Sequence, residues 1–266
     1  TGYLAQLCKD AIVDRLRDRV GARPDVDRSD PAVSVFIHVK NDEASFFLDA
    51  AGRSLHERGY RTASGPAPLK ETLAAAMLRL SGWDRTSPLV DPMCGAGTIP
   101  IEADLWARNV APGIFRDRFG LERWACADES MRAAFADARA AARSGAAPVA
   151  AMTILGSDVE PRAIEHAKAN AQRASATVRF EVRALADARL PAGAFVVTNP
   201  PYGERLAEHE ALLSEIRALA RRSEAPSFAV LFGTPPPDDA IPARARRFEL
   251  SNGDLPCELV VIPKGD

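Results

Sequence analysis

Two hydrophobic patterns open this 266-residue chain. Apolar residues recur at helical spacing from residue 3 to residue 20. An alternating stretch from Val33 to Val39, in which Phe36 is the one apolar residue at an intervening position, then turns at Asn41-Asp42 and resumes from Ala44 to Leu48. The patterns predict an amphipathic helix and two paired strands, because apolar side chains repeat every 3.6 residues on a helix face and every second residue on a strand face. We therefore expect a small α+β module in the first quarter.

From position 89 onward the pattern changes to short β-branched runs that alternate with helical stretches. The strand candidates are 89–93, 154–159, 178–182, 195–198, 228–232, a segment near Phe248 and 259–262. This alternation predicts a mostly parallel α/β sheet with helices on both faces. The last two candidates lie too close together for a crossover helix, so they should pair antiparallel. A helix is predicted over 69–80, and it is preceded by the helix-breaking run Gly65-Pro66-Ala67-Pro68. We place the domain boundary shortly before this run, so that residues 1–62 form one domain and residues 63–266 the other.

Composition restricts the expected location of the protein more than it restricts the function. The four cysteines lie far apart, so neither a zinc site nor a disulfide framework is predicted, and a reducing cytoplasm is the expected location. No apolar run reaches the length that crosses a bilayer, so we expect no membrane partner. The net charge of −2 leaves the partner open, because phosphate affinity depends on clustered Lys and Arg. A helical pattern begins directly after Thr1, and we expect further protein ahead of it.

The first chemical motif is the run from Asp91 to Thr98, Asp-Pro-Met-Cys-Gly-Ala-Gly-Thr, where a buried strand should end and a helix begin. Ligands bind at this place in open α/β sheets. Gly95 and Gly97 allow close approach of the backbone, and amides at a helix start favour a carboxylate. A tight turn without a ligand is the plainer alternative, but the preceding acidic residue favours a ligand site. The candidate ligand-binding residues here are Asp91, Cys94, Gly95, Gly97 and Thr98.

The same region argues against a nicotinamide dinucleotide. The third glycine of that fingerprint would fall at position 100, where Pro100 stands, and the next acidic strand end, Asp158, comes far too late. Asp158 could accept hydrogen bonds from two ribose hydroxyls, or it could cap the helix that starts at Pro161. Asp187 could accept from an adenine amino group, or it could be an exposed turn residue.

The second motif runs from Asn199 to Arg205, Asn-Pro-Pro-Tyr-Gly-Glu-Arg, directly after an apolar strand. Two prolines remove backbone donors and stiffen the chain, so the Asn199 side chain and neighbouring carbonyls, including that of Pro200, form a fixed acceptor cluster. Such a cluster suits an exocyclic amine, whose delocalised lone pair needs acceptors on its N–H groups to attack a methyl sulfonium in line. Tyr202 would offer a flat face for a base. A proline-rich turn is the alternative.

The acceptor cluster does not choose among planar amines. Guanine N2, adenine N6 of RNA or DNA, and the side-chain amide of a protein glutamine all fit it. A catalytically silent RNA-binding or assembly factor that retains the fold is the non-enzyme alternative.

Several segments together resemble a known family. They are Leu48-Asp49, 52–61, 67–74, the Asp91 motif, Ile101-Glu102-Ala103, Ala111-Pro112-Gly113 and the Asn199 motif. The chain resembles the THUMP-domain-containing methyltransferases that modify guanine N2 in 23S ribosomal RNA. This resemblance implies a partial THUMP-like module followed by a class I, Rossmann-like, mostly parallel seven-stranded sheet whose last strand is antiparallel.

The resemblance also assigns roles to residues. It implies S-adenosylmethionine as cofactor, with Asp91, Gly95 and Gly97 lining its pocket, Asp158 at the ribose and Asp187 at the adenine. The helix region that includes Pro68 and Thr72 would border the methionine end, and Asn199 to Tyr202 would meet the guanine. Candidate contacts to 23S ribosomal RNA are Arg53, Arg58, Arg61 and Arg205, for which a solvated surface role is the alternative. Family members carry a fuller THUMP region ahead of the catalytic domain.

Overall fold

The computed structural model of the protein describes residues 2–61, 68–201, 206–222, 227–234, 236–237 and 241–263. The chain divides into two compact units, one of residues 1–54 and 117–137 and the other of residues 55–116 and 138–266. The sequence pattern gives no hint that the segment 117–137 belongs with the N-terminal residues. The predicted domain boundary at residue 62 stays a prediction.

The first unit holds one complete helix, a hairpin, a short helical turn and part of a second helix. Its elements are α1 (Gly2–Val20), β1 (Ser34–Lys40), β2 (Glu43–Asp49), a 3-10 helix (Gly120–Arg123) and the first half of α4 (Glu129–Ser144). The predicted hairpin is confirmed, and its turn residues Asn41 and Asp42 have φ angles of 51° and 62°, as two-residue turns between twisted strands require. Only Val13 of α1 is buried, so the apolar stripe that predicts this helix is largely exposed within the described residues.

Backbone hydrogen bonds explain why the later segment belongs to the first unit. The amide of Gly120 donates to the carbonyl of Ala51 at 3.1 Å, and that of Leu121 donates to the carbonyl of Ala50 at 2.9 Å. A Cβ at Gly120 would lie 2.9 Å from the backbone nitrogen of Gly52. The close approach of the two backbones therefore requires glycine at this position.

The second unit is built on a seven-stranded sheet in the order β5-β4-β3-β6-β7-β9-β8. Its strands are β3 (Leu89–Asp91), β4 (Ile154–Asp158), β5 (Arg179–Val182), β6 (Phe195–Thr198), β7 (Ser227–Phe232), β8 (Arg246–Asn252) and β9 (Leu255–Pro263). Its helices are α2 (Glu71–Leu80), α3 (Thr98–Ala107), the second half of α4 (Glu129–Ser144), α5 (Pro161–Arg173), α6 (Leu206–Arg222) and a 3-10 turn (Leu185–Asp187). Six of the seven strands run in the same direction, and β9 runs opposite to them. The predicted fold class is confirmed.

Alternate residues of the central strands face opposite sides of the sheet. Val197 and Leu231 pack in the core layer that holds α2, whereas Val196 and Val230 pack with residues of α6 in the other layer. A sheet covered on both faces needs apolar residues at every position, which explains the continuous runs in the sequence. Predicted strand 89–93 ends at Asp91, because Pro92 has no N–H to donate to the sheet.

The sheet order places a crevice at the carboxyl ends of the central strands. After β3 the chain adds β4 and β5 on one side, and it then returns to add β6 on the other side. Helices that follow neighbouring strands on opposite sides leave a gap at this switch point, which is where open α/β sheets bind ligands.

Candidate active site

The carboxyl edge of the sheet brings the two sequence motifs together. Asp91 ends β3, Asp158 ends the neighbouring β4, and Asn199 directly follows β6, which pairs with β3 on its other side. A direct side-chain bond joins the two motif strands, because the Thr198 hydroxyl donates to Oδ1 of Asp91 at 2.7 Å. Residues from three separate parts of the sequence thus meet at the switch point.

Glycine is required at one of the two positions in the turn after β3. Gly97 has a φ of 82° and caps α3, and a Cβ there would lie 2.9 Å from both Ala167 and Phe180. Gly95 also has a positive φ, of 52°, but a Cβ there would meet no atom within 4 Å. The turn therefore packs tightly against the protein at Gly97 and leaves open space beside Gly95.

Two side chains hold this turn in place. Oδ2 of Asp158 accepts from the Gly95 amide at 2.9 Å, and Nδ2 of Asn170, which is 1% exposed on α5, donates to the Ala96 carbonyl at 3.1 Å. Asn170 was not among the residues predicted from the sequence. The signal was available, because a polar residue on the buried face of an amphipathic helix needs a partner inside the protein.

The cap of the following helix falls on a different residue from the one considered. The N-cap of α5 is Glu160, whose carboxylate accepts from the amide of Arg162. Asp158 does not cap this helix: its Oδ1 accepts from the Glu160 amide at 3.0 Å and its other oxygen bonds to Gly95. Asp158 is thus anchored at the turn, and its carboxylate faces the same edge as the glycines.

Asp91 is a buried carboxyl group with an unusual titration. It is 1% exposed, and its Oδ1 accepts from the backbone N–H of Met93 at 3.2 Å as well as from Thr198. Burial raises the pKa of Asp91 to about 7, and the negative charge of Asp158 adds to this, while the two hydrogen bonds oppose it. The thiol of Cys94, also buried, has its pKa raised by the same burial.

Asn199 carries an acceptor that no other described residue uses. Its Oδ1 is buried and has no hydrogen-bond partner among the described residues. Pro200 is buried and Pro201 is exposed, while Tyr202 and Arg205 lie outside the described residues. A buried acceptor without a partner costs about 1–3 kcal/mol, so its presence calls for an explanation.

An open depression of about 520 Å³ lies at the other half of the edge, after β4 and β5. It is lined by Val159, Val182, Arg183, Ala184, Asp187 and Arg189. Val159 is 70% exposed although it directly follows the acidic strand end, and Asp187 is exposed at the end of the 3-10 turn. Asp187 was predicted from the sequence, but Val159 was not. Val159 could have been recognised as an apolar residue that directly follows an acidic strand end. The depression combines exposed apolar side chains with the charged groups of Arg183, Asp187 and Arg189.

Arg61 ties the segment before α2 to the start of α3. Its Nη2 donates to the carbonyl of Leu69 at 2.6 Å and to Oγ1 of Thr98 at 2.8 Å, and its Nε lies 3.3 Å from a carboxylate oxygen of Glu71. Pro68 and Thr72, the predicted neighbours of the methionine end, are exposed on this segment. The predicted residues 68–72 therefore lie next to the helix that follows the glycine turn.

The four arginines predicted to contact RNA are placed differently. Arg58 is buried, and its Nε and Nη2 donate to the carboxylate of Glu102, which also accepts from the hydroxyl of Tyr60. This placement argues against phosphate contacts at Arg58 and Arg61, because a guanidinium held inside the protein does not reach an RNA backbone. Arg53 is exposed, and Arg205 lies outside the described residues.

None of the helices in the described ranges has both the length and the apolar character needed to span a membrane. Within the same ranges, no three His, Cys, Asp or Glu side chains converge in a way that could hold a metal ion.

Two family models match the chain. Residues 58–226 match the RMKL-like methyltransferase domain, and residues 2–49 match the THUMP domain. The protein SMU.472, described as a methyltransferase complexed with SAH, is 31% identical over 97% of this chain and 69% of its own, with a TM-score of 0.81.

Two further solved structures cover similar shares. A protein of Clostridium difficile 630 described as a methylase is 28% identical over 97% of this chain and 69% of its own, with a TM-score of 0.80. A protein of Listeria monocytogenes described as a predicted N6-adenine-specific DNA methylase is 33% identical over 95% of this chain and 66% of its own, with a TM-score of 0.75. The chain thus spans about two thirds of the length of these proteins.

Fold, site and matches agree on the class of protein. A seven-stranded sheet in this order, with a glycine turn at its switch point and an Asn-Pro-Pro segment after the next strand, defines a methyltransferase that uses S-adenosylmethionine as methyl donor. More specifically, the chain belongs to the RMKL-like methyltransferase domain family and carries a THUMP domain ahead of that domain.

Proposed function

We propose that this protein transfers a methyl group from S-adenosylmethionine to the exocyclic N2 amine of a guanine in 23S ribosomal RNA. The observation that carries the proposal is Oδ1 of Asn199, a buried acceptor without a partner in the described residues, which directly follows β6, the strand beside β3. An N–H group of the target base would satisfy it. The acceptor would then favour the positive charge that builds on nitrogen as the methyl group transfers.

The residues at the edge fit the methyl donor in distinct ways. The donor supplies an electrophilic methyl group on a sulfonium. The open space beside Gly95 admits its methionine part, the Asp158 carboxylate can accept from ribose hydroxyls, and the depression that Val159 and Asp187 line suits adenine. Pro68, Thr72, Cys94 and Thr98 are proposed to border the methionine end.

No residue has to remove a proton from the target amine before transfer. An aromatic amine attacks as the neutral group, and its proton can leave to water once the nitrogen carries positive charge. Asn199 and the stiff Pro200 then act by orientation and by hydrogen bonding. The proposed role of Tyr202 is to stack against the base, which has to leave its helix or loop to reach the crevice.

The choice of RNA rests on the N-terminal part of the chain. A THUMP domain matches residues 2–49. Segments on both sides of residue 62, such as 52–61 and 67–74, resemble the methyltransferases that modify guanine N2 in 23S ribosomal RNA. Arg53 is exposed and is proposed to contact phosphates, together with Arg205.

The experiment that tests this function compares 23S ribosomal RNA from cells with and without the gene. We expect mass spectrometry of nucleosides to show loss of one N2-methylguanosine in the deletion strain. Purified protein and S-adenosylmethionine should restore the nucleoside on deletion-strain RNA. Unchanged levels of N2-methylguanosine in both arms would refute the proposal.

Adenine N6 is the second candidate, because a relative 33% identical to this chain is described as a predicted N6-adenine-specific DNA methylase. Adenine N6 is also an exocyclic amine, so the Asn199 acceptor would serve it equally well. The same mass spectrometry, extended to genomic DNA, distinguishes the two outcomes. Loss of N6-methyladenosine from RNA, or of its deoxy form from DNA, would show that the target base is adenine and not guanine.

A further inference from the structure

Thr198 is a polar residue at the end of an apolar strand, and its side chain lies inside the protein. It is 1% exposed, as is Asp91, and the bond between its hydroxyl and Oδ1 of Asp91 measures 2.7 Å. Hydrogen bonds from hydroxyl groups to carboxyl oxygens are short and directional at this distance. The bond therefore fixes the Thr198 side chain relative to the end of β3.

The bond lies beyond the last backbone pairing of the two strands. The pairing of β3 with β6 joins Leu89 with Phe195 and Val90 with Val196, and it stops there. Farther along, β3 leads into the glycine turn and β6 leads into Asn199. Beyond the last backbone pair, the Thr198–Asp91 bond is thus the described contact that connects the two strands where the two functional segments begin.

The same carboxyl oxygen reaches the glycine turn as well. Oδ1 of Asp91 accepts from the amide of Met93, the second residue beyond β3, at 3.2 Å. One oxygen therefore binds a donor from each segment. A shift of either segment has to stretch one of these bonds.

We propose that Thr198 is a positioning residue for methyl transfer: its bond to Asp91 holds the segment that begins at Asn199 in register with the glycine turn. This inference rests on the proposed function, because it takes Asn199 as the acceptor for the target amine. In-line transfer depends on the distance between amine and methyl group, and a misplacement of about 1 Å can cost about 100-fold in rate.

A purely structural hydroxyl would behave differently from a positioning one. If Thr198 only fills and satisfies the interior, its loss should lower stability and act on the rate independently of Asn199. If it positions Asn199, its effect on the rate should vanish once the Asn199 side chain is gone. A double-mutant cycle separates the two cases.

The first experiment measures turnover on 23S ribosomal RNA from the deletion strain. Thr198→Val keeps the shape and removes the hydroxyl, and we expect turnover to fall about 10- to 100-fold. Thr198→Ser should keep most of the activity. In an Asn199→Ala background, Thr198→Val should lower turnover no further. Effects that multiply in the double variant would overturn the proposal.

The second experiment needs no turnover. The side-chain amide signals of Asn199 in a ¹H–¹⁵N spectrum are identified by their absence in Asn199→Ala. We expect them to shift or broaden in Thr198→Val and to stay in place in Thr198→Ser, with S-adenosylhomocysteine bound and without it. Unmoved signals in Thr198→Val would refute positioning, whatever the RNA substrate proves to be.

A matched control removes a buried hydroxyl from the opposite end of a neighbouring strand. Ser227 is 5% exposed at the amino end of β7, far along the strand from the carboxyl edge. Ser227→Ala should leave both turnover and the Asn199 signals unchanged. An equal effect in this control would make the Thr198 result a general loss of packing and would overturn the proposal. If the unaltered protein shows no turnover on this RNA while the Asn199 signals still shift in Thr198→Val, the result counts against the proposed substrate alone.

Discussion

The two halves of the carboxyl edge differ in how far solvent reaches them. At β3 and β6, Asp91 and Thr198 are each 1% exposed and Oδ1 of Asn199 is buried. At β4 and β5, Val159 is 70% and Val182 55% exposed around an open depression. Fixed polar groups act most strongly where water is excluded, whereas a ligand needs an open site to enter. We therefore propose that the buried half carries out the chemistry and that the open half recognises the adenosyl group.

The largest effect on turnover is expected when the acceptor of the buried half is removed. For Asn199→Ala we expect turnover to fall by about 10²- to 10³-fold, because a group that acts on charge developing in the transition state is lost. The dissociation constant of S-adenosylhomocysteine should change by less than about threefold. Single-turnover methylation of RNA and calorimetry measure the two quantities.

The control for this variant removes an amide that lies away from the edge. Gln172 is exposed on α5, and Gln172→Ala should leave turnover and affinity as they are. Unchanged turnover in Asn199→Ala would remove the acceptor role. A loss of cofactor affinity as large as the loss of turnover would show that chemistry and cofactor recognition are not divided between the two halves.

The glycine turn joins the two halves, and substitution of its two glycines by alanine should lower the free energy of unfolding by different amounts. Gly97→Ala places a Cβ 2.9 Å from Ala167 and Phe180 in a left-handed backbone, so we expect a loss of about 2–4 kcal/mol in the free energy of unfolding. Gly95→Ala shares the left-handed backbone but enters open space, and about 1–2 kcal/mol should be lost. Urea denaturation compares the pair. Equal losses would mean that packing does not distinguish the two positions.

The buried half also predicts a dependence of stability on pH. The pKa of Asp91 is about 7 in the folded protein and near 3.8 when unfolded, so between these values the folded state holds a proton that the unfolded chain has released. The free energy of unfolding should therefore fall as pH rises through this window, by about 1.4 kcal/mol per pH unit. Asp158 and Cys94 face the same carboxyl group, so the comparison with Asp91→Asn isolates Asp91.

The measurement is urea denaturation of both proteins at intervals from pH 4.5 to 7.5. The difference in free energy between the original protein and Asp91→Asn should change steadily with pH and level off above pH 7. A difference independent of pH would show that Asp91 titrates alike in the folded and unfolded states.

Sequence patterns predicted the sheet better than the N-terminal unit. Buried parallel strands give continuous apolar runs, so their existence and the antiparallel last strand could be found without coordinates. The joining of 117–137 to the first unit could not, because it depends on backbone bonds such as Gly120 to Ala51, between residues distant in sequence. Periodicity carries no information about such pairings.

At the site, the motifs marked the segments but not the partners of their side chains. Asp91 and Asn199 were identified from residue type and position, whereas the bond between Asp91 and Thr198 links residues 107 positions apart and depends on the strand order. Burial likewise separates Arg58 from Arg53, although both are arginines of one short segment. Residue type predicts what a side chain can do, and packing decides whether it faces a ligand.

The smallest expected effect tests the open half. Asp187→Ala removes one exposed acceptor, and a single hydrogen bond contributes about 1 kcal/mol, so the dissociation constant of S-adenosylhomocysteine should rise about fivefold. Turnover at saturating S-adenosylmethionine should stay within about twofold, because Asp187 is proposed to contact the adenine, which takes no part in the bond that forms. Asp137→Ala, an exposed aspartate on α4, serves as control. If Asp187→Ala instead lowers saturated turnover as Asn199→Ala does, then the open half takes part in the chemistry, and exposure does not separate recognition from catalysis at this edge.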